Sequence, residues 1–270
     1  MKQRCDRWLV EQGYFPSREQ AQRSIMAGVV LVNGKRLEKP SQLLDPAQEY
    51  VIAIVGSGET YVSRGAYKLK KAVTVFQIEV AGRVCLDAGA STGGFTDYLL
   101  QQGASLVYAV DVGYGQLAWK LRQDPRVKVF ERQNIRYFEA ENLEQLPSLI
   151  TADLSFISLL LVLAKFRELI ADSGELVTLI KPQFEAGRGQ VGKKGVVRDP
   201  AVHREVLQRL ADQGPQSGWE LADLTFSPLL GPEGNIEYLG YWKTGVGTTT
   251  AKIDLDSVVQ TAWVELKGKE

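Results

Sequence analysis

Three glycines lie between positions 89 and 94 of the sequence, in a loop that follows a short apolar run. Residues 84–88 are apolar apart from Asp87 and predict a buried strand, and apolar residues at helical spacing from Phe95 predict a helix. Glycines at such a turn let backbone N–H groups and the helix N-terminus approach a bound ligand. The candidate ligand-binding residues are Asp87, Gly89, Ala90, Ser91, Thr92, Gly93, Gly94 and Phe95.

The spacing of the glycines narrows the class of ligand. Gly89 and Gly93 are four positions apart, unlike the G-x-G-x-x-G of dinucleotide folds, and no G-x-x-x-x-G-K-[ST] is present. Asp111 ends the next apolar run, where an acidic residue binds ribose hydroxyls in nucleoside-binding α/β folds. The pattern predicts a nucleoside ligand without a pyrophosphate, and S-adenosylmethionine is the candidate. A plain strand–turn–helix corner is the alternative.

Charged residues also end other predicted strands. Ligands of open parallel sheets bind beyond the carboxyl ends of the strands, so we expect these charged residues to surround one site. Each residue taken alone could equally be a strand-end charge exposed to water. The four residues are Asp87, Asp111, Asp153 and Lys181.

Strands and helices alternate along the larger part of the chain. This order predicts an α/β fold with a doubly wound, mostly parallel sheet, whose last two strands can form an antiparallel edge. A helix at 200–212 would carry His203 as a surface residue. Strands are predicted at 84–88, 106–110, 127–130, 148–152, 175–180, 219–226 and 235–242, and helices at 64–77 (capped by Ser63), from 95, and at 116–123, 156–170, 200–212 and 251–270.

The first 55 residues predict a small α+β module with a basic surface. Helices are expected at 4–12 and 17–28, and Asn33-Gly34 predicts a hairpin turn. The run R-x-D-R-W-L-V followed by S-R-x-Q-A-Q-R resembles an S4 RNA-binding domain, which implies docking on folded RNA. We therefore predict an S4-like domain at 1–55, a linker at 56–62 and a second domain at 63–270. The basic residues assigned to RNA binding here are Arg4, Arg7, Arg18, Arg23, Lys35 and Arg36.

Four motifs of the second domain resemble the TlyA (hemolysin A) family of ribosomal RNA 2′-O-methyltransferases, in which an S4 domain precedes an FtsJ-like domain. They are R-G-A-Y-K-L (64–69), L-D-A-G-A-S-T-G-G-F-T (86–96), A-D-L-S-F-I-S (152–158) and L-I-K-P-Q-F-E (179–185). The resemblance implies a Rossmann-like class I S-adenosylmethionine methyltransferase with a seven-stranded sheet. It also implies transfer to a cytidine ribose, with ribosomal RNA or ribosomal subunits as partner.

The Lys-Asp-Lys-Glu active site known for the FtsJ class corresponds by motif to Lys68, Asp153, Lys181 and Glu237. A ribose hydroxyl must lose its proton during methyl transfer, and an amine can accept it only when burial or a neighbouring cation lowers the amine pKa. Asp153 is also expected to face the donor, together with Val112 and Asn134. Asn134 stands where the FtsJ pattern often has an acidic residue.

The loop 181–198 carries five Lys/Arg against Glu185 and is rich in glycine. Such a loop beside an active site favours contact with a phosphate backbone, although a mobile surface loop has the same composition. The predicted RNA-binding residues of the second domain are Arg64, Lys71, Arg188, Lys193 and Lys194.

Composition excludes several classes of protein. A hydrophobic fraction of 44% and a charged fraction of 24% are typical of a globular chain. Two cysteines indicate no disulfide framework, and no signal peptide or apolar span is visible, so we expect a cytoplasmic protein without a membrane partner. No metal cluster and no obligatory protein partner are indicated. Residues 1–83 hold 13 Lys/Arg against 8 Asp/Glu, which favours a polyanion-facing surface.

Four other functions fit parts of the pattern. An S4-linked pseudouridine synthase or an NAD oxidoreductase would need an H-R-L-D signature or a different glycine spacing. A membrane-active hemolysin would need an amphipathic or apolar membrane segment. A non-catalytic RNA-binding protein would have no use for the complete charged set.

Overall fold

The computed structural model describes residues 3–12, 14–15, 17–46, 48, 50, 52–54, 61–244 and 253–267. The chain divides into two compact units, residues 1–60 and 61–270, and each unit has its own hydrophobic core. The predicted linker at 56–62 falls mostly on 55–60, which lie outside the described residues.

The first unit combines two helices with short strands, as predicted for an S4-like module. Ser17 caps the second helix by accepting a hydrogen bond from the backbone N–H of Gln20. Asn33 and Gly34 have φ of +51° and +77°, the left-handed pair that a two-residue hairpin turn needs. The elements are β1 (Gln3–Arg4), α1 (Cys5–Glu11), α2 (Arg18–Met26), β2 (Val30–Val32), β3 (Lys35–Arg36), β4 (Leu43–Leu44) and β5 (Ile52–Ile54).

The second unit alternates strands and helices. Asp199 caps one helix through the backbone N–H of Ala201, with Pro200 in the first turn. The elements are α3 (Ala66–Phe76), β6 (Val84–Ala88), α4 (Gly94–Gln101), β7 (Leu106–Val110), α5 (Trp119–Arg122), β8 (Val127–Phe130), β9 (Leu149–Ala152), α6 (Leu163–Leu169), β10 (Glu175–Ile180), α7 (Pro182–Glu185), α8 (Pro200–Gln213), β11 (Trp219–Phe226), β12 (Tyr238–Thr244) and α9 (Leu255–Lys267).

These strands form one seven-stranded sheet in the order β11-β12-β10-β9-β6-β7-β8. All neighbouring pairs are parallel except those made by β12, which is antiparallel to both β10 and β11. The mostly parallel sheet and its antiparallel edge are therefore confirmed. The chain runs outward from β6 through β7 to β8 and then returns to β9 on the other side of β6. This reversal is where ligands bind in such sheets.

Two predicted boundaries and one predicted helix cap are wrong. The helix expected at 156–170 begins later, with a 3₁₀ turn at Leu159–Leu161 followed by α6, because Phe156 has a left-handed φ of +63°. The last strand begins at Tyr238 and not at 235, since the side chain of Asn235 bonds to the backbone of residues 195 and 197. Ser63 does not cap α3, which has no side-chain cap.

Candidate active site

The loop between β6 and α4 packs closely against neighbouring elements because it has glycine at two contacts. Gly89 has a φ of +82°, and a Cβ there would lie 2.5 Å from the carbonyl oxygen of Asp153. Gly93 has a φ of +94°, and a Cβ there would lie 2.2 Å from a methyl group of Leu121. Both positions need glycine for conformation and for space. The loop can therefore lie directly beside the end of β9.

A pocket of about 990 Å³ lies at the carboxyl ends of the central strands. Its size is in the range of small-molecule sites, and it lies next to the reversal of strand order. The predicted cofactor residues that line it are Gly89, Ser91, Asp111, Val112, Asn134 and Asp153. Sequence reasoning missed other lining residues, among them Gln116, Gln133, Arg136, Ser155, Phe156, Gln183 and Phe184.

The remaining predicted cofactor residues do not line this pocket, and their contact with a cofactor stays a prediction. They are Asp87, Ala90, Thr92, Gly93, Gly94 and Phe95.

Asp87 is enclosed and ties the start of α4 to the sheet. Its Oδ2 accepts hydrogen bonds from the backbone N–H and the hydroxyl of Thr96, at 2.9 and 2.7 Å. Its Oδ1 accepts one from the hydroxyl of Thr151 at 3.3 Å. Burial raises the pKa of Asp87 to about 7, because the charged form loses its hydration. Asp87 thus fixes the glycine loop from the buried side, away from the pocket.

Hydrogen-bond acceptors face the pocket from several sides. The carboxylate of Asp111 is fixed by the backbone N–H groups of Ser91 and Gly113, at 2.8 and 2.6 Å. The Oε1 atom of Gln183 is buried and accepts no hydrogen bond from the described residues. An unsatisfied buried acceptor costs about 1–3 kcal/mol, so a bound donor group would stabilise it. These acceptors suit the hydroxyl and amino groups of a nucleoside, and the pocket therefore fits S-adenosylmethionine.

The four predicted catalytic residues meet at the rim of the sheet. Lys181 Nζ lies 2.6 Å from Asp153 Oδ1, and Lys68 Nζ lies 3.7 Å from Asp153 Oδ2. Lys68 Nζ also lies 2.7 Å from Glu237 Oε2. Asp153 and Lys181 directly follow β9 and β10, Glu237 directly precedes the antiparallel β12, and Lys68 comes from the first turn of α3. Two ammonium groups and two carboxylates therefore alternate along one line.

Burial makes this line of charges unusual. Lys181 and Glu237 are 8% and 0% exposed, and buried ions persist only when they are paired. The hydroxyl of Ser155, which sequence reasoning missed, accepts a hydrogen bond from Lys181 Nζ at 2.9 Å. Ser155 lies two positions after Asp153, and this proximity is the one sequence signal that could have indicated it. Asp153 and Ser155 also line the pocket, so the charged line and the pocket share a wall.

The predicted RNA-binding residues of the first unit lie on its surface, and the four arginines in or beside its helices pair with carboxylates. The buried Asp6 accepts hydrogen bonds from Arg4 Nε at 3.1 Å and Arg18 Nε at 3.0 Å. Arg7 pairs with Glu11 and Arg23 with Glu19 along their own helices. Lys35 and Arg36 of β3 are exposed. RNA binding by these residues stays a prediction.

The predicted RNA-binding residues of the second unit differ in how far their side chains are exposed. Arg64, Lys193 and Lys194 are exposed, whereas the side chain of Arg188 lies outside the described residues. Helical spacing predicts Lys71 on the solvent side of α3, opposite its apolar face, but it is half-buried, with Nζ 3.3 Å from the ring centre of Phe226. Burial lowers the pKa of Lys71. The predicted exposure of Lys71 is wrong because β11 covers this side of α3.

His203 is not the surface residue that its place in a capped helix predicts. It is completely buried, with Nδ1 2.9 Å from the hydroxyl of Tyr238 and Nε2 3.1 Å from the carbonyl oxygen of Val197. Burial lowers its pKa to about 4, so the imidazole is neutral at pH 7. His203 thus links the end of the basic loop to the strand that follows Glu237.

A doubly wound sheet with a nucleoside-type pocket at its switch point, bordered by paired lysines and carboxylates, defines a Rossmann-like class I methyltransferase. Two family models agree with this class: FtsJ-like methyltransferase matches residues 61–243, and S4 domain matches residues 3–49. The chain belongs to the FtsJ-like methyltransferase family and carries an S4 domain at its N-terminal side. Its methyl donor is S-adenosylmethionine.

Similar proteins extend over nearly the whole chain. One is the 16S/23S rRNA (cytidine-2′-O)-methyltransferase TlyA of Mycobacterium tuberculosis, 44% identical over 96% of this chain and 96% of the relative. Another is YqxC of Bacillus subtilis, provisionally named an rRNA methyltransferase, 49% identical over 88% of this chain and 84% of the relative. A solved structure from Streptococcus thermophilus, provisionally assigned as a hemolysin, is 44% identical. It superposes with a TM-score of 0.75 and covers 99% of this chain and 98% of that one. The predicted family is thereby confirmed.

The hemolysin name raises the question of a membrane-spanning helix. Within the parts of the chain that the structure describes, every helix is too short or too polar to cross a bilayer.

Proposed function

We propose that the protein methylates a ribose 2′-hydroxyl of ribosomal RNA, at a cytidine, with assistance from Lys181. The observation that carries this proposal is the line Lys68, Asp153, Lys181 and Glu237 beside a nucleoside-type pocket. The name of the Mycobacterium tuberculosis relative supports the ribose position and the base. A ribosomal RNA substrate is consistent with a cytoplasmic protein.

Bound S-adenosylmethionine supplies a methyl group on a positively charged sulfur, which keeps the bonding electron pair when the methyl group leaves. Asp111 and Gln183 would hold the donor through their oxygen atoms. In its neutral form Lys181 accepts the proton of the ribose hydroxyl as the new O–C bond forms. Asp153, 2.6 Å away, then pairs with the resulting ammonium group. Fixed positions for both reactants supply much of the remaining acceleration.

Lys68 and Glu237 position Asp153 in this scheme. Lys68 lies between the two carboxylates, so it attracts Oδ2 of Asp153 while Oδ1 faces Lys181. Asp153 is thereby held with one oxygen towards each lysine. Lys68 and Glu237 therefore influence Lys181 only indirectly, through the position of Asp153.

The S4-like domain, assigned to residues 1–55, would dock on folded ribosomal RNA through phosphate contacts. Its exposed basic side chains, and the exposed Lys193 and Lys194 of the loop after β10, support this assignment. The methyltransferase domain, assigned to 63–270, would then receive the target nucleotide.

Transfer of tritiated methyl groups from S-adenosylmethionine to ribosomal subunits tests the proposal. Subunits should come from cells that lack the protein, so that the target is unmodified. We expect label in 2′-O-methylcytidine after nuclease digestion. Label in a base, or none in any subunit or in free ribosomal RNA, would overturn the proposal.

The name of the Streptococcus thermophilus structure supports a second candidate, lysis of membranes. A red-cell assay with purified protein and no methyl donor separates the two functions. Equal lysis by the wild type and Lys181→Ala would favour the hemolysin, because lysis would then be independent of the charged line.

A further inference from the structure

Gly231 lies directly against the carboxyl group of Glu237. A Cβ at position 231 would lie 2.3 Å from Oε1 and 2.7 Å from Cδ of that side chain. Gly231 itself has a φ of −73°, which any residue can adopt. The backbone conformation therefore does not require glycine here, and only the contact with Glu237 does.

The backbone around this contact is held by several hydrogen bonds. The N–H of Gly231 donates to the carbonyl oxygen of Asn235, and the N–H of Ser227 donates to that of Glu237, both at 2.8 Å. The buried side chain of Asn235 donates to the carbonyl oxygen of Gly195 at 3.0 Å and accepts from the N–H of Val197 at 3.2 Å. This segment can yield little when an atom is added.

The side chain of Glu237 is held much less firmly than its backbone. Its Oε1 atom is buried and has no hydrogen-bond partner among the described residues. Among the described residues, its Oε2 atom is held by Lys68 alone, at 2.7 Å. When an atom is added at position 231, the flexible end of Glu237 is therefore the part that moves.

We propose that Gly231 is a positioning residue for the charged line, because its missing side chain leaves the space in which Glu237 reaches Lys68. This inference rests on the proposed function. Displacement of Glu237 would leave Asp153 as the carboxylate nearest to Lys68, at 3.7 Å. Asp153 would then be drawn towards Lys68 and away from Lys181. A substitution at 231 would thus affect the reacting lysine through three ion pairs while the fold stays intact.

The test compares Gly231→Ala with Pro232→Ala as a matched control. Pro232 is exposed in the same turn, and its shortening adds no atom near Glu237. We expect Gly231→Ala to lower kcat for RNA methylation about 10²-fold, as a misplacement of roughly 1 Å does. The KM for RNA and the Kd for S-adenosylmethionine should match those of the wild type, whereas the Tm should fall although the variant still folds, because Glu237 loses its contact with Lys68. The control should keep the wild-type kcat.

Introducing Gly231→Ala into a variant of Glu237 shows whether the substitution acts through Glu237 or through a general effect on the structure. Glu237→Asp has a shorter side chain, which withdraws the carboxyl group from position 231 and lowers activity by itself. In that background Gly231→Ala should cause no further loss, so the two substitutions are not additive. The same factor of loss in both backgrounds would overturn the inference.

Two other outcomes would also overturn it: a wild-type kcat for Gly231→Ala, or a variant that does not fold, since the backbone and not Glu237 would then have failed to accommodate the methyl group. Absence of methylation by the wild type would instead contradict the proposed function.

Discussion

Lys68 and Glu237 are 169 positions apart in the sequence, and their side chains form an ion pair with an Nζ–Oε2 distance of 2.7 Å. The carboxylate is fully enclosed, and 13% of the lysine side chain remains exposed. Removing one partner of such a buried ion pair destabilises a protein more than replacing both partners does. Removing one partner leaves an uncompensated buried charge.

We therefore expect Lys68→Met to lower the free energy of unfolding by about 3 kcal/mol, because Glu237 keeps its charge without its nearest cation. The double variant Lys68→Met/Glu237→Gln should recover most of this loss. Urea unfolding of the single and double variants measures both values. A double variant no more stable than Lys68→Met would show that the loss of stability does not come from the unpaired charge of Glu237.

Lys181→Ala should remove methyl transfer while leaving donor binding nearly unchanged. Lys181 contacts Asp153 and Ser155 at the rim but does not line the pocket. A lost proton acceptor lowers kcat by about 10²- to 10⁴-fold. Single-turnover methylation measures the rate, and calorimetry with S-adenosylmethionine measures the Kd. Equal losses of rate and affinity would mean that Lys181 has a structural role.

The glycine loop and the strand ends were predictable because local chemistry determines them. A glycine with positive φ at the close approach of Gly89 to Asp153 leaves a visible pattern in the sequence, and so does an apolar strand that ends in an aspartate. The partnership of Lys68 with Glu237 was expected only from the family resemblance. A single glutamate near a strand has no local signal for a partner this distant.

The burial of Lys71 and the position of Gln183 depend on packing between segments, and the spacing of residues in the sequence could not predict them. Lys71 is covered because β11 lies beside α3, a contact that helix periodicity does not contain. Gln183 faces the pocket because the short α7 begins immediately after Lys181.

Asp6→Asn should weaken RNA binding by the S4-like domain, although it removes a negative charge. Electrostatics alone predicts tighter binding to a polyanion after this change. Asp6, however, holds Arg4 and Arg18 on one enclosed carboxylate, so both guanidinium groups have fixed positions. Strong pairing with these arginines and Gln22 also lowers the pKa of Asp6 despite its burial.

The Kd of the full chain for ribosomal RNA, measured at several salt concentrations, tests this expectation. We expect about a 10-fold weaker Kd at moderate salt, roughly the 1.5–3 kcal/mol of a lost charge-assisted hydrogen bond. Glu19→Gln removes an exposed carboxylate near Arg23 and serves as the control, with unchanged or slightly tighter binding. Tighter binding by Asp6→Asn would contradict the positioning role.

His203 should make the protein less stable in mild acid. Its pKa of about 4 in the fold lies below the ordinary value of 6.5 because burial disfavours the charged imidazolium. Between these two values the unfolded chain binds a proton that the folded chain does not, so stability falls as the pH decreases from 6.5 towards 4. One pH unit corresponds to about 1.4 kcal/mol, so the whole window amounts to about 3 kcal/mol. The burial-raised pKa of Asp87 acts in the opposite direction over the same range.

The free energy of unfolding of the wild type and His203→Phe, measured at pH 7 and pH 4.5, isolates the histidine. The chain has a single histidine, and Asp87 contributes equally to both proteins. The variant should be less stable at pH 7, since it loses the hydrogen bonds to Tyr238 and Val197. It should nevertheless lose about 2–3 kcal/mol less than the wild type between the two pH values. Parallel pH dependence in the two proteins would show that the imidazole has the same pKa in the fold as in the unfolded chain.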